Sequence, residues 1–303
     1  MQKKSLTQRF EHLDHRAAGL LVVCCAFWGL QQILIKWAAA EVAPFWQASL
    51  RFWGATLCLF LWCRWRGVKL FKADGAWPMG LLAGCLFAGE FAFIYAGLQY
   101  TNASRLTIFL YTSPFWVAGL MPLLMPQESM RRNQWWGLGL AFFGVILAFS
   151  QGVGQYENGQ WAGDAMGLIA GMLWGLTTLV LRSPKLAQQP AERNLFFQIS
   201  ATALILPGLS WFNHESWSLD YNWHIWSSIG LQAVVGAFAS YLIWMWLLRH
   251  YPATKMAAFT FLTPLFALIF GVSLLGEALS IQLVLALFGV AMGIWLVNKR
   301  TGH

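Results

Sequence analysis

The chain has 303 residues, of which 58% are apolar and only 11% charged, and its formal net charge is +8. That composition is too apolar for a soluble globular domain and belongs in a lipid bilayer. The basic residues gather in no single patch, which leaves a nucleic-acid interface without support.

A polar tail over residues 1–16 precedes ten apolar runs, at 17–38, 44–63, 77–98, 103–124, 134–151, 163–181, 195–213, 226–248, 253–274 and 279–298, with a short tail at 299–303. Each run approaches the length of about 20 residues that crosses a hydrocarbon layer roughly 30 Å thick. The first run, followed by Ala38-Ala39-Ala40, has the look of a secretory leader. It is long, however, and has a counterpart in mid-chain, so it is read as the first membrane helix. With the N-terminus in the cytoplasm, 17 of the 20 Lys and Arg residues fall on the cytoplasmic side and only Lys36, Arg51 and Arg105 fall toward the outside. Basic residues accumulate in cytoplasmic loops, so both termini are predicted to be cytoplasmic. Trp37, Trp46, Trp65, Trp77, Trp135, Trp136, Trp161, Trp211 and Trp226 sit near run ends and read as interfacial anchors. Cys24, Cys25, Cys58, Cys63 and Cys85 lie in or beside apolar runs without CxxC spacing and read as small core residues.

The chain repeats itself. Ala26-Phe27-Trp28-Gly29-Leu30 in run 1 returns as Met172-Leu173-Trp174-Gly175-Leu176 in run 6. Ala103-Ser104-Arg105 opens run 4 as Ala253-Thr254-Lys255 opens run 9, and Ser113-Pro114 falls on Thr263-Pro264 at the same offset. Five runs per repeat is an odd number, so the second repeat starts on the opposite side from the first. The expectation is one integrated all-α transport domain made of two inverted five-helix repeats, 17–151 and 163–298, an architecture of membrane carriers. Pro114 and Pro264 stand near the centres of their runs, where each removes a backbone hydrogen bond and frees the carbonyl four residues back, at Leu110 and Thr260. In hydrocarbon a freed carbonyl is tolerated only against protein or a water-filled cavity. Two such helix breaks at equivalent depth, each beside a hydroxyl residue, favour the cavity over a simple kink.

The tandem halves, the Trp-Gly of each first helix, the Ala-Ser/Thr-basic starts and Ser/Thr-Pro centres of runs 4 and 9, and Gly276-Glu277 before run 10 together resemble the EamA family of the drug/metabolite transporter superfamily. The likeness covers residues 17–298. Where the second half has Gly276-Glu277 the first has Gln127-Glu128, which points to a turn built differently. The resemblance implies a multi-pass carrier of the inner (cytoplasmic) membrane. Such carriers usually export amino acids, other small metabolites or toxic compounds by alternating access.

Ionisable groups inside membrane spans are costly, which singles out Glu90 near the middle of run 3, at about 2–4 kcal/mol for a carboxylate. It either faces the path, where a titrating carboxyl couples proton entry to substrate exit, or fixes helix packing through hydrogen bonds. The aligned residue in the second half is Ser240. Trp28, Gln32 and Lys36 share a face of run 1 at four-residue spacing, and Trp174, Thr178 and Arg182 repeat the stripe in run 6. Polar stripes turn away from lipid. They make either a cavity wall or polar contacts between packed helices, with Lys36 and Arg182 reaching toward opposite surfaces. Arg105 opens run 4, where the helix dipole disfavours a cation. It is expected to hold an anion, either a substrate carboxylate or a protein acid such as Glu41 or Glu157. Tyr95, Tyr111, Tyr241 and Trp244 complete the candidate lining. Gly167, Gly171 and Gly175, with the pairs Gly80/Gly84 and Gly289/Gly293, suit close helix crossings and leave monomer or homodimer open.

No GxxxxGK[ST] motif occurs, and no Cys/His group has metal-ligand spacing. No cofactor or metal is expected, and no catalytic constellation shares one membrane depth. The sequence reads as a secondary active carrier, not an enzyme, exporting a small organic metabolite, with the lipid bilayer as its other partner. An uptake carrier or exchanger of the same fold is the first alternative, and a membrane-embedded lipid-modifying enzyme the second.

Overall fold

The computed structural model describes residues 10, 13–101, 103–150, 159–276 and 281–299. Among them the chain is helical throughout, without strands. The first half comprises α1 (His15–Ala38), α2 (Pro44–Arg66), α3 (Trp77–Gly97), α4 (Ala103–Leu110), α5 (Ser113–Leu124) and α6 (Arg132–Phe149). The second comprises α7 (Gln160–Leu181), α8 (Ala191–Phe212), α9 (Trp223–Leu231), a π-helical stretch (Gln232–Ala239), α10 (Ser240–His250), α11 (Ala253–Phe259), α12 (Leu262–Leu275) and α13 (Ile281–Asn298). Seven helical segments among the described residues are long and apolar enough to cross a membrane, and 284–298 is a shorter apolar helix.

Local chemistry sets the helix limits. Asp14 caps α1 by accepting from the Ala17 amide at 2.7 Å. Proline stands in the first turn of α2, where its missing N–H is no loss, and Gly67 closes that helix in the left-handed conformation at φ 67°. The start of α2 is capped from the other half of the chain: the Glu215 carboxylate accepts from the Phe45 and Trp46 amides at 3.1 and 2.8 Å. A carboxylate at a helix N-terminus satisfies orphan amides and opposes the dipole.

The halves interlock. α1 packs on α12 as α7 packs on α5, α3 runs along α7 as α1 runs along α9 and α10, and α2 crosses α8. α6 and α13 pair directly. Their crossing is close because glycine faces glycine: a Cβ at Gly293 would stand 2.5 Å from the Gly137 carbonyl oxygen, and one at Gly137 2.8 Å from that of Gly293. Gly84 accommodates Phe197 of α8 in the same way, with 2.5 Å to its carbonyl oxygen. These small-residue surfaces are used inside the chain, as tight packing in a bilayer requires.

Candidate functional site

Runs 4 and 9 are each divided. α4 stops at Leu110 and α5 restarts at Ser113, while α11 stops at Phe259 and α12 restarts at Leu262. Pro114 and Pro264 therefore stand in the first turns of new helices, the one place where a helix accepts proline without losing a bond. The Thr112 hydroxyl donates to the Phe109 carbonyl and the Thr260 hydroxyl to that of Ala257, both at 2.7 Å. The Leu110 carbonyl is covered by Gly171 of α7, where a Cβ would sit 2.7 Å from the oxygen.

The repeated Trp-Gly now has a physical reason. Gly29 of α1 lies against α12, and a Cβ there would stand 2.6 Å from Phe266 Cβ. Gly175 of α7 lies against α5, and its Cβ would stand 2.5 Å from Trp116 Cβ. Phe266 and Trp116 are separated by the same 150 residues that relate Pro264 to Pro114. In each half glycine lets the opposite half's divided helix approach, and the tryptophan before it projects toward the centre.

At that centre Ser113, Pro114, Trp174, Thr178, Trp244 and Thr260 surround a space of about 10 Å³, enough for a single water. Trp28 donates its indole N–H to Ser240 Oγ at 2.7 Å and packs edge-on against Tyr241 and Trp244, at 5.9 and 5.6 Å between ring centroids. Tyr111 packs on Trp174 at 6.0 Å. Glu90 is buried, its Oε2 makes no hydrogen bond, and Tyr111 and Tyr241 lie within its electrostatic reach. The structure thus brings Trp28, Glu90, Tyr111, Trp174, Thr178, Tyr241 and Trp244 to one region. Tyr95 is buried farther along α3 against Phe45, at 5.7 Å. Gln32 is half-buried and Lys36 exposed at the end of α1, so that stripe leaves the centre as it rises.

Two ion pairs flank this region along α7. Near its start, Arg105 binds Asp164, which also accepts from Thr101 Oγ1 at 3.0 Å. The expected partner of Arg105 is corrected: Glu41 instead lies beside Asn222 at 3.4 Å, and Glu157 is outside the described residues, as is Glu277. Asp164 is hard to single out from sequence because it falls at the start of an apolar run, not in a loop. At the far end of α7, Arg182 binds Glu128 with both side chains buried, and donates to the Leu248 carbonyl at 2.6 Å. Arg182 therefore does not reach to a surface. Glu128 lies in a short 3-10 turn (Pro126–Glu128), whereas α12 ends on a left-handed Gly276, so the two equivalent turns do differ. Its second oxygen accepts from the Ala253 amide at 2.8 Å, joining the end of α5 to the start of α11. Alignment with Glu277 was the available signal for Glu128.

Other residues also depart from the sequence reading. Arg51, assigned to the outer side by topology, is fully buried in α2, with its guanidinium 4.5 Å from the Phe52 ring centre and 5.0 Å from that of Phe91. Trp46 is no interfacial anchor: it is buried, stacked on Trp217 at 4.7 Å, and donates to the Ser218 carbonyl at 2.8 Å. In the loop before α3, Asp74 accepts from Arg193 at 2.5 Å, which holds its carboxyl below the usual carboxylate range.

Comparison with known proteins agrees with this architecture. An uncharacterized transporter of Archaeoglobus fulgidus is 26% identical over 85% of this chain and 89% of its own. A WAT1-related chloroplastic protein of Arabidopsis thaliana is 27% identical over 91% of this chain and 68% of its own. A probable amino-acid metabolite efflux pump of Salmonella typhimurium is 26% identical over 86% and 87% respectively. A solved crystal structure superposes with a TM-score of 0.83 over 94% of this chain and 97% of that one, and at 15% identity it speaks for the fold alone. The EamA-like transporter family matches the chain twice, over residues 15–150 and 161–299. Spanning nearly all of its length in two tandem copies, these matches make the chain a multi-pass membrane protein of the EamA-like transporter family, within the drug/metabolite transporter superfamily.

Proposed function

We propose that the protein is a secondary active carrier of the cytoplasmic membrane that exports small organic metabolites of the amino-acid class by alternating access. In this reading ten membrane segments form two five-helix repeats of opposite orientation, with both termini in the cytoplasm. The observation that carries it is the aromatic and hydroxyl-lined centre where α5, α7, α10 and α11 meet at two helix breaks. A space of about 10 Å³ holds no metabolite, so substrate entry requires the halves to separate there.

The ion pairs supply the gates. Asp164 and Arg182 are 18 residues apart on one helix, about 27 Å at 1.5 Å per residue, close to the thickness of the hydrocarbon layer. Arg105–Asp164 closes the outer end and Arg182–Glu128 the cytoplasmic end, and each state of the cycle opens one while keeping the other. Glu90, buried with an unpartnered oxygen, is the group that couples proton entry to substrate exit. The likeness to the probable amino-acid metabolite efflux pump of Salmonella typhimurium favours the amino-acid class and the outward direction.

The test is efflux from cells preloaded with labelled amino acids and small metabolites, comparing wild type, Glu90→Gln and an empty vector. Faster loss of at least one compound with the wild type, and its abolition at equal expression in Glu90→Gln, is the expected result. Efflux no faster than the vector for every compound overturns export. Efflux unchanged in Glu90→Gln removes the coupling role alone.

A further inference from the structure

The unassigned feature that demands an explanation is Arg51. Arg105, Arg182 and Arg193 each hold a carboxylate. Arg51 is more deeply buried than Arg105 or Arg182, at 0% exposure, yet none of its three guanidinium nitrogens has a hydrogen-bond partner. An arginine cannot relieve the cost of burial by losing its proton. Its faces are provided for by Phe52 and Phe91, and cation–π contact offsets only part of the desolvation. Its edge, with five N–H donors in a fork that matches a carboxylate, is left bare.

The surroundings name the missing acceptor. Glu90 precedes Phe91 on α3 and carries an unpartnered carboxyl oxygen in the same core. Tyr241 of α10 lies within electrostatic reach of both Arg51 and Glu90, with its ring 5.8 Å from Phe87 and 5.9 Å from Trp28. A permanent cation and an acid oxygen, both without hydrogen-bond partners, therefore lie around the same tyrosine in an aromatic-rich region. A structural ion pair would have closed, as the other three have.

We propose that Arg51 is the anion-recognition residue of the transport site: it takes the carboxylate of a zwitterionic cargo, while Glu90 takes the ammonium and the aromatic walls take an apolar side group. This rests on the carrier reading above and adds the residue that selects its substrate class.

The test uses purified full-length protein, first without ligand and then in proteoliposomes, as wild type and Arg51→Met. Without ligand, removing an unpaired buried cation raises the melting temperature by about 2 °C or more; an unchanged or lower value overturns the assignment, since it would make Arg51 structural. In proteoliposomes the probes are labelled phenylalanine, its decarboxylated amine phenethylamine, and its deaminated acid 3-phenylpropionate. The expected result is wild-type transport of phenylalanine above both analogues, falling about 30-fold or more in Arg51→Met. Transport of the amine as fast as the amino acid, or of the amino acid unchanged in Arg51→Met, overturns the assignment and leaves the carrier intact. Movement of none of the three probes overturns the zwitterion assignment, and the preloaded-cell assay then decides the carrier reading separately.

Discussion

Replacing Gly29 by alanine tests whether the Trp-Gly repeat exists to admit the divided helices. The new Cβ would stand 2.6 Å from Phe266 Cβ, 2.8 Å from the Ala267 amide nitrogen and 2.9 Å from the Phe266 carbonyl carbon. Non-bonded carbons rest at about 3.5–4.0 Å, so α12 must retreat by about 1 Å. Two of the three contacts are backbone, which cannot rotate aside. Overpacking of this kind costs about 1–3 kcal/mol, set against about 0.5–1 kcal/mol gained by alanine over glycine in a helix. Gly119 and Gly208 supply the control, because a Cβ at either meets nothing within 4 Å. Gly29→Ala should therefore lie about 1–3 kcal/mol below Gly119→Ala, separating their melting temperatures by several degrees in detergent. Gly175→Ala should fall between them, since only the Trp116 Cβ comes nearer than 3.0 Å. Transport by Gly29→Ala should drop further than its stability does, because α12 carries Thr263, which lies beside Tyr111 of the central region. Melting of Gly29→Ala together with Gly119→Ala would refute the close-approach argument.

The two ion pairs along α7 differ in burial, and their disruption should differ likewise. Glu128→Gln keeps an acceptor for Ala253 but strands the Arg182 cation, with side-chain exposures of 3% and 6% in the pair, at a cost of about 3–5 kcal/mol. Asp164→Asn, in a pair at 13% and 11%, should cost less, and thermal unfolding in detergent that ranks them in the opposite order would contradict this. Asp74 has a folded-state carboxyl below its ordinary range because of Arg193, so its contribution is present above about pH 4 and is lost as pH falls through the folded value. Melting between pH 6 and pH 3 should show a smaller decline in Asp74→Asn than in wild type, and parallel curves would exclude that linkage.

The helical character is legible in the sequence because apolar length follows from spanning lipid, and the two-part character because motifs recur at a fixed spacing. The meaning of the repeats was less so. Trp28 and Trp174 could be placed on inward stripes by counting four residues, but the reason for glycine after each depends on Phe266 and Trp116, far away in sequence. Charge was hardest to place. In the sequence Arg182 reads as a terminal cation that reaches toward a surface, and only the return of the chain through Pro126–Glu128 shows the acid that pairs with it. Linear position assigns Arg51 a side of the membrane but not its enclosure by the rings of Phe52 and Phe91. Trp46 sits at a helix end as an anchor should, yet the loop bearing Trp217 folds over it. In each case the deciding partner comes from another segment of the fold.

The differences between the halves matter as much as their likeness. Two identical inverted repeats would give inward-open and outward-open states of equal energy, since exchanging the halves would convert one into the other. Such a protein would have no preferred resting state. Here the packing elements match: glycine against the divided helix, proline at the restart, Thr101 on Asp164 as Tyr251 is on Asp14, each at 3.0 Å. The central polar groups do not match. Glu90 corresponds to Ser240 and Tyr111 to Phe261 at the 150-residue offset, and Gln32 to Thr178 at the 146-residue offset of the Trp-Gly motif. In the proposed cycle, matching packing keeps the two arrangements close enough in energy to interconvert, while unmatched polar groups bias one over the other. Residues such as Glu90 that break the repeat are therefore where substitutions should shift that balance without unfolding the scaffold.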